Sequence, residues 1–152
     1  MKLFVSFETG AWRPLSLKDA VKTVFDGWDI KFGDEILPDS HDTDRIAYQT
    51  VLEQIKDVYV IVDLTGDKRL SSNGINANVI LEYGMALAVA LKPYAIYCSE
   101  RTEIISRQII EDRISNIKGC GIYPYANKSE LIEKLKAAKI CFEAHAQHRK
   151  ER

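Results

Sequence analysis

A single acid interrupts the most apolar stretch of the chain. From Asn78 to Leu91 the sequence reads NVILEYGMALAVAL, and Glu82 is its only charged residue. A carboxylate on a helix otherwise fit for burial must be paired, hydrogen-bonded or turned into a pocket, because a buried, unpaired charge is too costly to keep. Asn78 lies one helical turn earlier, so its amide and the Glu82 carboxylate share a face. An ionised group held there is suited to anchoring hydroxyls or to stabilising positive charge that develops on a ligand. The plainer alternative is a capping Asn78 followed by a solvated Glu near the positive end of the helix dipole.

Other residues offer polar chemistry nearby. Asp63 ends the central strand in the run VIVDLTG, where an acid either faces a ligand crevice or caps the next loop by accepting from its backbone amides, and Thr65 follows two residues later. Ser6 and Phe7 close the first strand. Phe7, Trp12 and Arg13, in or beside the loop that follows, could supply a stacking surface and a cation for phosphate, with core or lid packing the other reading of Trp12. Asp34 and Glu35 come after the second strand, where acids either solvate a loop or reach the ligand end of a sheet. Lys68 and Arg69 are a basic pair that could meet a diphosphate or serve as ordinary surface.

Several chemistries lack their residues. No GxGxxG follows the first strand, and the segment from Gly66 to Gly74 lacks the GK[ST] that a phosphate-cradling loop needs. His41 is the only histidine outside the last eight residues, and no nucleophile elbow is present, so a Ser-His-Asp or Cys-His arrangement is unsupported. His145 and His148 have a ligand-like spacing but no Cys or acidic partner, so no metal site is expected. Cys98, Cys120 and Cys141 are odd in number and far apart, which argues for reduced thiols.

The elements that must position these groups follow from periodicity. Strands are expected at Lys2–Phe7, Trp28–Phe32, Val58–Leu64, Tyr94–Cys98 and Gly121–Tyr125. Helices are expected at Ser16–Phe25, Arg45–Lys56, from Asn78 to a stop at Pro93, at Glu103–Asn116, and at Ser129–Phe142. Val58–Leu64 (VYVIVDL) is the most β-biased run and should be central. Five β/α units in succession imply an α/β fold, a five-stranded doubly wound parallel sheet of the flavodoxin-like order 2-1-3-4-5 with helices on both faces. In that order ligands sit beyond the carboxyl ends of strands one and three. The loops after those strands and the Glu82 helix would then border one crevice.

With 152 residues, 46% of them hydrophobic, the chain fits one domain over 1–144, followed by a polar tail at 145–152 that reads as a fraying end or linker stub. Lys and Arg are scattered and the net charge is -1, so no nucleic-acid surface is expected. No apolar run has signal-peptide or membrane-span length, which points to a cytoplasmic protein without membrane partners.

Four segments together resemble TIR-like domains: LFVSF at 3–7, FGDEILPD at 32–39, IKDVYVIVDLTG at 55–66 and NVILEYGMALA at 78–88. The last two also resemble the nucleoside 2-deoxyribosyltransferase-like superfamily, whose pattern is a strand ending in D-L-T, an Asn-rich loop and an E-x-G-x-A helix. The transferase pattern has an Asp and a Gly-Thr pair ahead of its glutamate, where this chain has Asn76, Ala77 and Asn78. The Trp-Cys pair of many TIR domains is missing as well. Both resemblances imply cleavage at the anomeric carbon of a nucleoside or nucleotide ribose by a glutamate that maps to Glu82. The TIR resemblance implies an NAD glycohydrolase or cyclase with NAD as substrate and no cofactor, around which Ser6, Phe7, Trp12, Arg13, Asp34, Asp63, Thr65 and Asn78 would bind the nucleotide. It also implies homo-oligomers or TIR–TIR assemblies. The alternatives are a nucleotide-binding sensor, a protein-interaction module and a deoxyribosyltransferase.

Overall fold

The computed structural model describes residues 1–7, 14–35, 44–65, 77–100 and 121–151. Trp12, Arg13, His41, Lys68, Arg69, Cys120 and the helix expected at 103–116 lie outside the described residues. Five parallel strands, β1 (Lys2–Ser6), β2 (Asp29–Phe32), β3 (Tyr59–Asp63), β4 (Lys92–Cys98) and β5 (Ile122–Tyr125), form one sheet in the order β2-β1-β3-β4-β5. This is the doubly wound, flavodoxin-like arrangement expected from the alternation of strands and helices. The helices are α1 (Pro14–Val24), α2 (Asp44–Ile55), α3 (Ala77–Val89) and α4 (Lys128–Lys150). Among the described residues no helix is long and apolar enough to cross a membrane.

The strand sequences explain the two layers. β3 (YVIVD) is buried at every position, as a central strand covered on both faces must be. Its side chains alternate: Tyr59 and Ile61 enter a core with Leu17, Val21 and Phe25 of the α1 region and with Leu135 and Phe142 of α4, whereas Val60 and Val62 pack with Ile55 of α2 and with Val79, Tyr83 and Ala86 of α3. Each large side chain wholly removed from water, such as Phe4, Phe25 or Phe142, contributes about 1.5–3 kcal/mol to holding the layers together.

Three elements depart from what their sequence indicates. Helix α3 is not buried on every side: Val79, Tyr83 and Ala86 form its inner stripe, while Leu81 is 42% exposed and Gly84 and Ala88 also face outward. Its end is at Val89, and Pro93 lies inside β4 opposite Val60. The pairing of β4 with β5 starts only at Ala95, so the missing N–H of Pro93 breaks no bond on that side.

The third departure is at the carboxyl end of the chain. The polar segment from His145 does not fray, because α4 continues through Lys150. Asn127 caps its start by accepting from the Glu130 amide at 3.0 Å, and the Glu130 carboxylate accepts from the Ala126 amide at 2.7 Å. The inner stripe Leu131, Leu135, Ala138 and Phe142 is prolonged by Ala146 against the same core and by His145, whose Nδ1 lies 3.2 Å from the Tyr59 hydroxyl. His148, Arg149 and Lys150 fill the last turn, where the helix dipole favours positive charge.

Candidate functional site

The carboxyl end of β1 carries the arrangement with the most chemical content. Ser6 is its last residue and pairs with Val62 of β3, at the point where the sheet reverses its winding. Ser6 follows Phe4 in the alternation, so its side chain turns toward the α2/α3 layer. There its hydroxyl donates a hydrogen bond to Oε2 of Glu82, which reaches over from the second turn of α3. Glu82 is partly buried, whereas Ser6 is only 1% exposed. Burial raises the pKa of the Glu82 carboxyl, and the Ser6 hydroxyl pulls it part of the way back.

Asn78 is exposed one turn before Glu82, and a hydroxyl donor to the Glu82 carboxylate comes from β1. Ser6 is buried, and its hydroxyl meets that carboxylate.

Asp63 has a different role. It follows Tyr59 and Ile61 in the alternation of β3 and so turns toward the α1/α4 layer, across the sheet from Glu82. Its Oδ1 accepts from the Thr65 amide at 3.0 Å and from the Thr65 hydroxyl at 2.6 Å, and its Oδ2 accepts from the Tyr125 hydroxyl at 2.7 Å. Thr65 Oγ1 in turn accepts from the Cys98 amide at 2.7 Å. Asp63 and Thr65 are 1% and 2% exposed, so this network ties the carboxyl ends of β3, β4 and β5 together. Of the two readings open for Asp63, the loop-capping one describes these bonds.

Phe7 and Asp34 gather on the α1 side of β1. Phe7 packs edge to face on Phe32, with ring centroids 6.3 Å apart. Lys18 of α1 lies 5.8 Å from the Phe7 centroid and 5.0 Å from that of Phe32. Its ammonium pairs with Asp34 at 2.6 Å and with Glu35 at 3.7 Å. Asp34 and Glu35 belong to a single 3-10 turn, Gly33–Glu35, and Gly33 lies against β1 so that an added Cβ would meet Val5 O at 3.5 Å and Ser6 Cα at 3.9 Å. That turn therefore sits directly beside Ser6. Asp34 Oδ1 is shut off from water with no hydrogen-bond partner, a deficit that the neighbouring Lys18 charge offsets.

The expected site residues thus divide at β1. Glu82 and Ser6 meet on the α2/α3 side, whereas Phe7 and Asp34 meet on the α1 side, and Asp63 with Thr65 serves the sheet ends further along. Lys18 and Tyr125 escaped the sequence reading. Lys18 had one usable signal, its place early in the helix that leaves the first loop; Tyr125 had its place at the carboxyl end of a strand. Two grooves, of about 290 and 270 Å³, lie at the other end of the sheet, one containing Lys2, Asp29 and Lys31 and the other Met1, Tyr59 and Arg149.

No family model matches the chain, and no curated protein matches it. A crystal structure of a conserved protein from Enterococcus faecalis V583 superposes with a TM-score of 0.49 at 15% identity, over 90% of this chain and 98% of that one.

Proposed function

We propose that this chain cleaves the N-glycosidic bond of NAD or a closely related nucleotide, with Glu82 as the catalytic group. The supporting observation is the Glu82 carboxylate at the winding reversal of the sheet, held through Oε2 by a hydroxyl from β1. The ends of β1 and β3 at such a reversal are where doubly wound sheets receive their ligands. In the reaction the bond from the ribose C1′ to the nicotinamide nitrogen breaks, and its electron pair leaves with the ring, which becomes neutral. Positive charge then spreads over C1′ and the ring oxygen, as in glycoside hydrolysis. A carboxylate beside the sugar stabilises that charge or holds the ribose hydroxyls in place. Water adds to C1′ and releases its proton, giving ADP-ribose. The leaving group is already cationic, so no general acid is required, in keeping with a chain whose only histidine outside α4 is His41.

A second reading rests on the same carboxyl. Burial favours its protonated form, and a neutral carboxyl binds a sugar hydroxyl without offering charge to a transition state. A nucleotide sensor would need no more than that. Incubating the purified protein with NAD and following nicotinamide release separates the two. Turnover that falls by roughly 10²–10³ in Glu82→Ala supports catalysis, a range taken from the loss of comparable electrostatic groups. Binding of NAD by calorimetry with no product formed supports the sensor, and turnover unchanged by the substitution removes Glu82 from the mechanism.

A further inference from the structure

We infer that Ser6 is a positioning residue, whose buried hydroxyl fixes the Glu82 carboxylate with Oε2 turned into the protein and Oε1 left to face a ligand. It rests on the glycosidic reading of the site for its catalytic consequence, but not for its structural one.

Three observations carry it. Ser6 is one of the few buried polar residues among those described, with Asp63 and Thr65, and those two satisfy each other. A buried serine at the end of a strand, after the apolar run Leu3–Val5, must find a partner for its hydroxyl, and Ser6 finds it 76 residues away in Glu82. The backbone of β1 is fixed on both sides, by β2 through Val5 and by β3 through Ser6 itself, so the donor cannot drift. The acceptor, in contrast, is a long side chain on a helix. Unheld, Glu82 would sample several rotamers, and the two oxygens would exchange places. A donor on a rigid strand removes that freedom and makes the two carboxylate oxygens inequivalent.

A hydrogen bond to a carboxylate also favours its charged form, which is the form that answers an oxocarbenium-like state. Among the described residues, the nearby charged groups leave this task to Ser6. Asp63 is across the sheet, and Lys18, Asp34 and Glu35 are engaged with one another on the α1 side. Among the described residues, burial raises the pKa of Glu82 and the Ser6 hydroxyl opposes it. Removing the hydroxyl takes away that opposition.

The test is a carboxyl titration of Glu82 by NMR in the ligand-free protein, which requires no turnover. In the wild type, the Ser6 side-chain resonances are expected to shift with the same midpoint as Glu82. In Ser6→Ala the Glu82 midpoint is expected to rise by about one pH unit, equivalent to a tenfold change in the protonation equilibrium, and Ser6→Thr is expected to bring it back. Where NAD cleavage is measurable, the acid limb of its pH profile should move up with the titration in Ser6→Ala. An unchanged midpoint in Ser6→Ala, or a wild-type Ser6 that ignores the Glu82 titration, overturns the positioning role. Normal titration behaviour without any NAD cleavage instead retains that role and overturns the glycosidic reading.

Discussion

The sheet stands between Asp63 and Glu82. Asp63 is held on the α1/α4 side by the Tyr125 hydroxyl at 2.7 Å, while Glu82 is held on the α2/α3 side by Ser6. Two carboxylates at the same end of a parallel sheet thus serve different purposes, one closing the ends of the strands and the other facing the winding reversal.

The first prediction follows from that separation. Tyr125→Phe removes one donor from a carboxylate that is 1% exposed. Losing a hydrogen bond to a buried charged group is expected to lower the unfolding free energy by about 1.5–3 kcal/mol. Nicotinamide release or NAD binding should change little, because the altered bond is on the far side of the sheet from Glu82. Chemical denaturation beside a binding isotherm checks both halves, and a variant of full stability with lost binding would place Asp63 in the ligand site after all.

Glu82 itself should show the opposite sign. Its folded-state pKa is raised above the ordinary 4.5, chiefly by burial and against the pull of Ser6. The folded chain therefore takes up the proton more readily than the unfolded one. The stability linked to this group is fully present below the unfolded value and is lost as pH rises through the folded value. Glu82→Gln cannot ionise, so it should be more stable than the wild type near neutral pH, with an advantage that shrinks as the pH falls toward 4.5. Urea melts at several pH values test this, and a pH-independent difference between the two proteins would contradict it. On the proposed glycosidic reading, lower NAD cleavage together with added stability is the pattern expected of a functional acid, because such groups are kept despite their desolvation.

How much of this was legible depends on the range of the interaction. Strand order and the central place of VYVIVDL follow from local alternation, and they match the sheet. The opposite facing of Asp63 and Ser6 follows from the same period of two, once each strand is assigned a buried stripe. The pairing of Ser6 with Glu82 spans 76 residues and leaves no local trace, so the sequence offered only the helix partner Asn78. The end of α4 was misread for a related reason. After Phe142 the segment EAHAQHRK is polar, and nothing local reveals that His145 meets Tyr59 or that Ala146 joins the core.

The helix that bears Glu82 contains a glycine without a packing reason. A Cβ at Gly84 would meet no atom within 4 Å, and the residue is exposed. Glycine in a helix interior costs about 0.5–1 kcal/mol relative to alanine through backbone entropy. Gly84→Ala is accordingly expected to raise stability by that amount, seen as a higher denaturation midpoint with an unchanged m-value. Measuring NAD cleavage or binding on the same variant adds a second result. Raised stability with intact function marks the position as neutral, whereas raised stability with lost function means that the outer face of α3 must approach another surface closely.

The last prediction concerns His145, which joins α4 to the centre of the sheet. Its pKa is lowered below the ordinary 6.5, first by burial and then by the positive charges of Lys92, Arg149 and His148. The folded state therefore resists a proton that the unfolded chain accepts. Stability linked to His145 is present above 6.5 and is lost as the pH falls from there through the folded value. Protonation also makes both ring nitrogens donors, so that the hydroxyl of the buried Tyr59, 3.2 Å from Nδ1, can then only accept from it. His145→Gln keeps a polar group on the helix but does not titrate, so its melting temperature should fall less than that of the wild type as the pH is lowered through 6.5. Parallel curves for the two proteins would show that the last turns of α4 contribute no pH-dependent stability, and that Tyr59 is held by ring packing against Phe142, 4.8 Å away, and Trp28, 5.8 Å away.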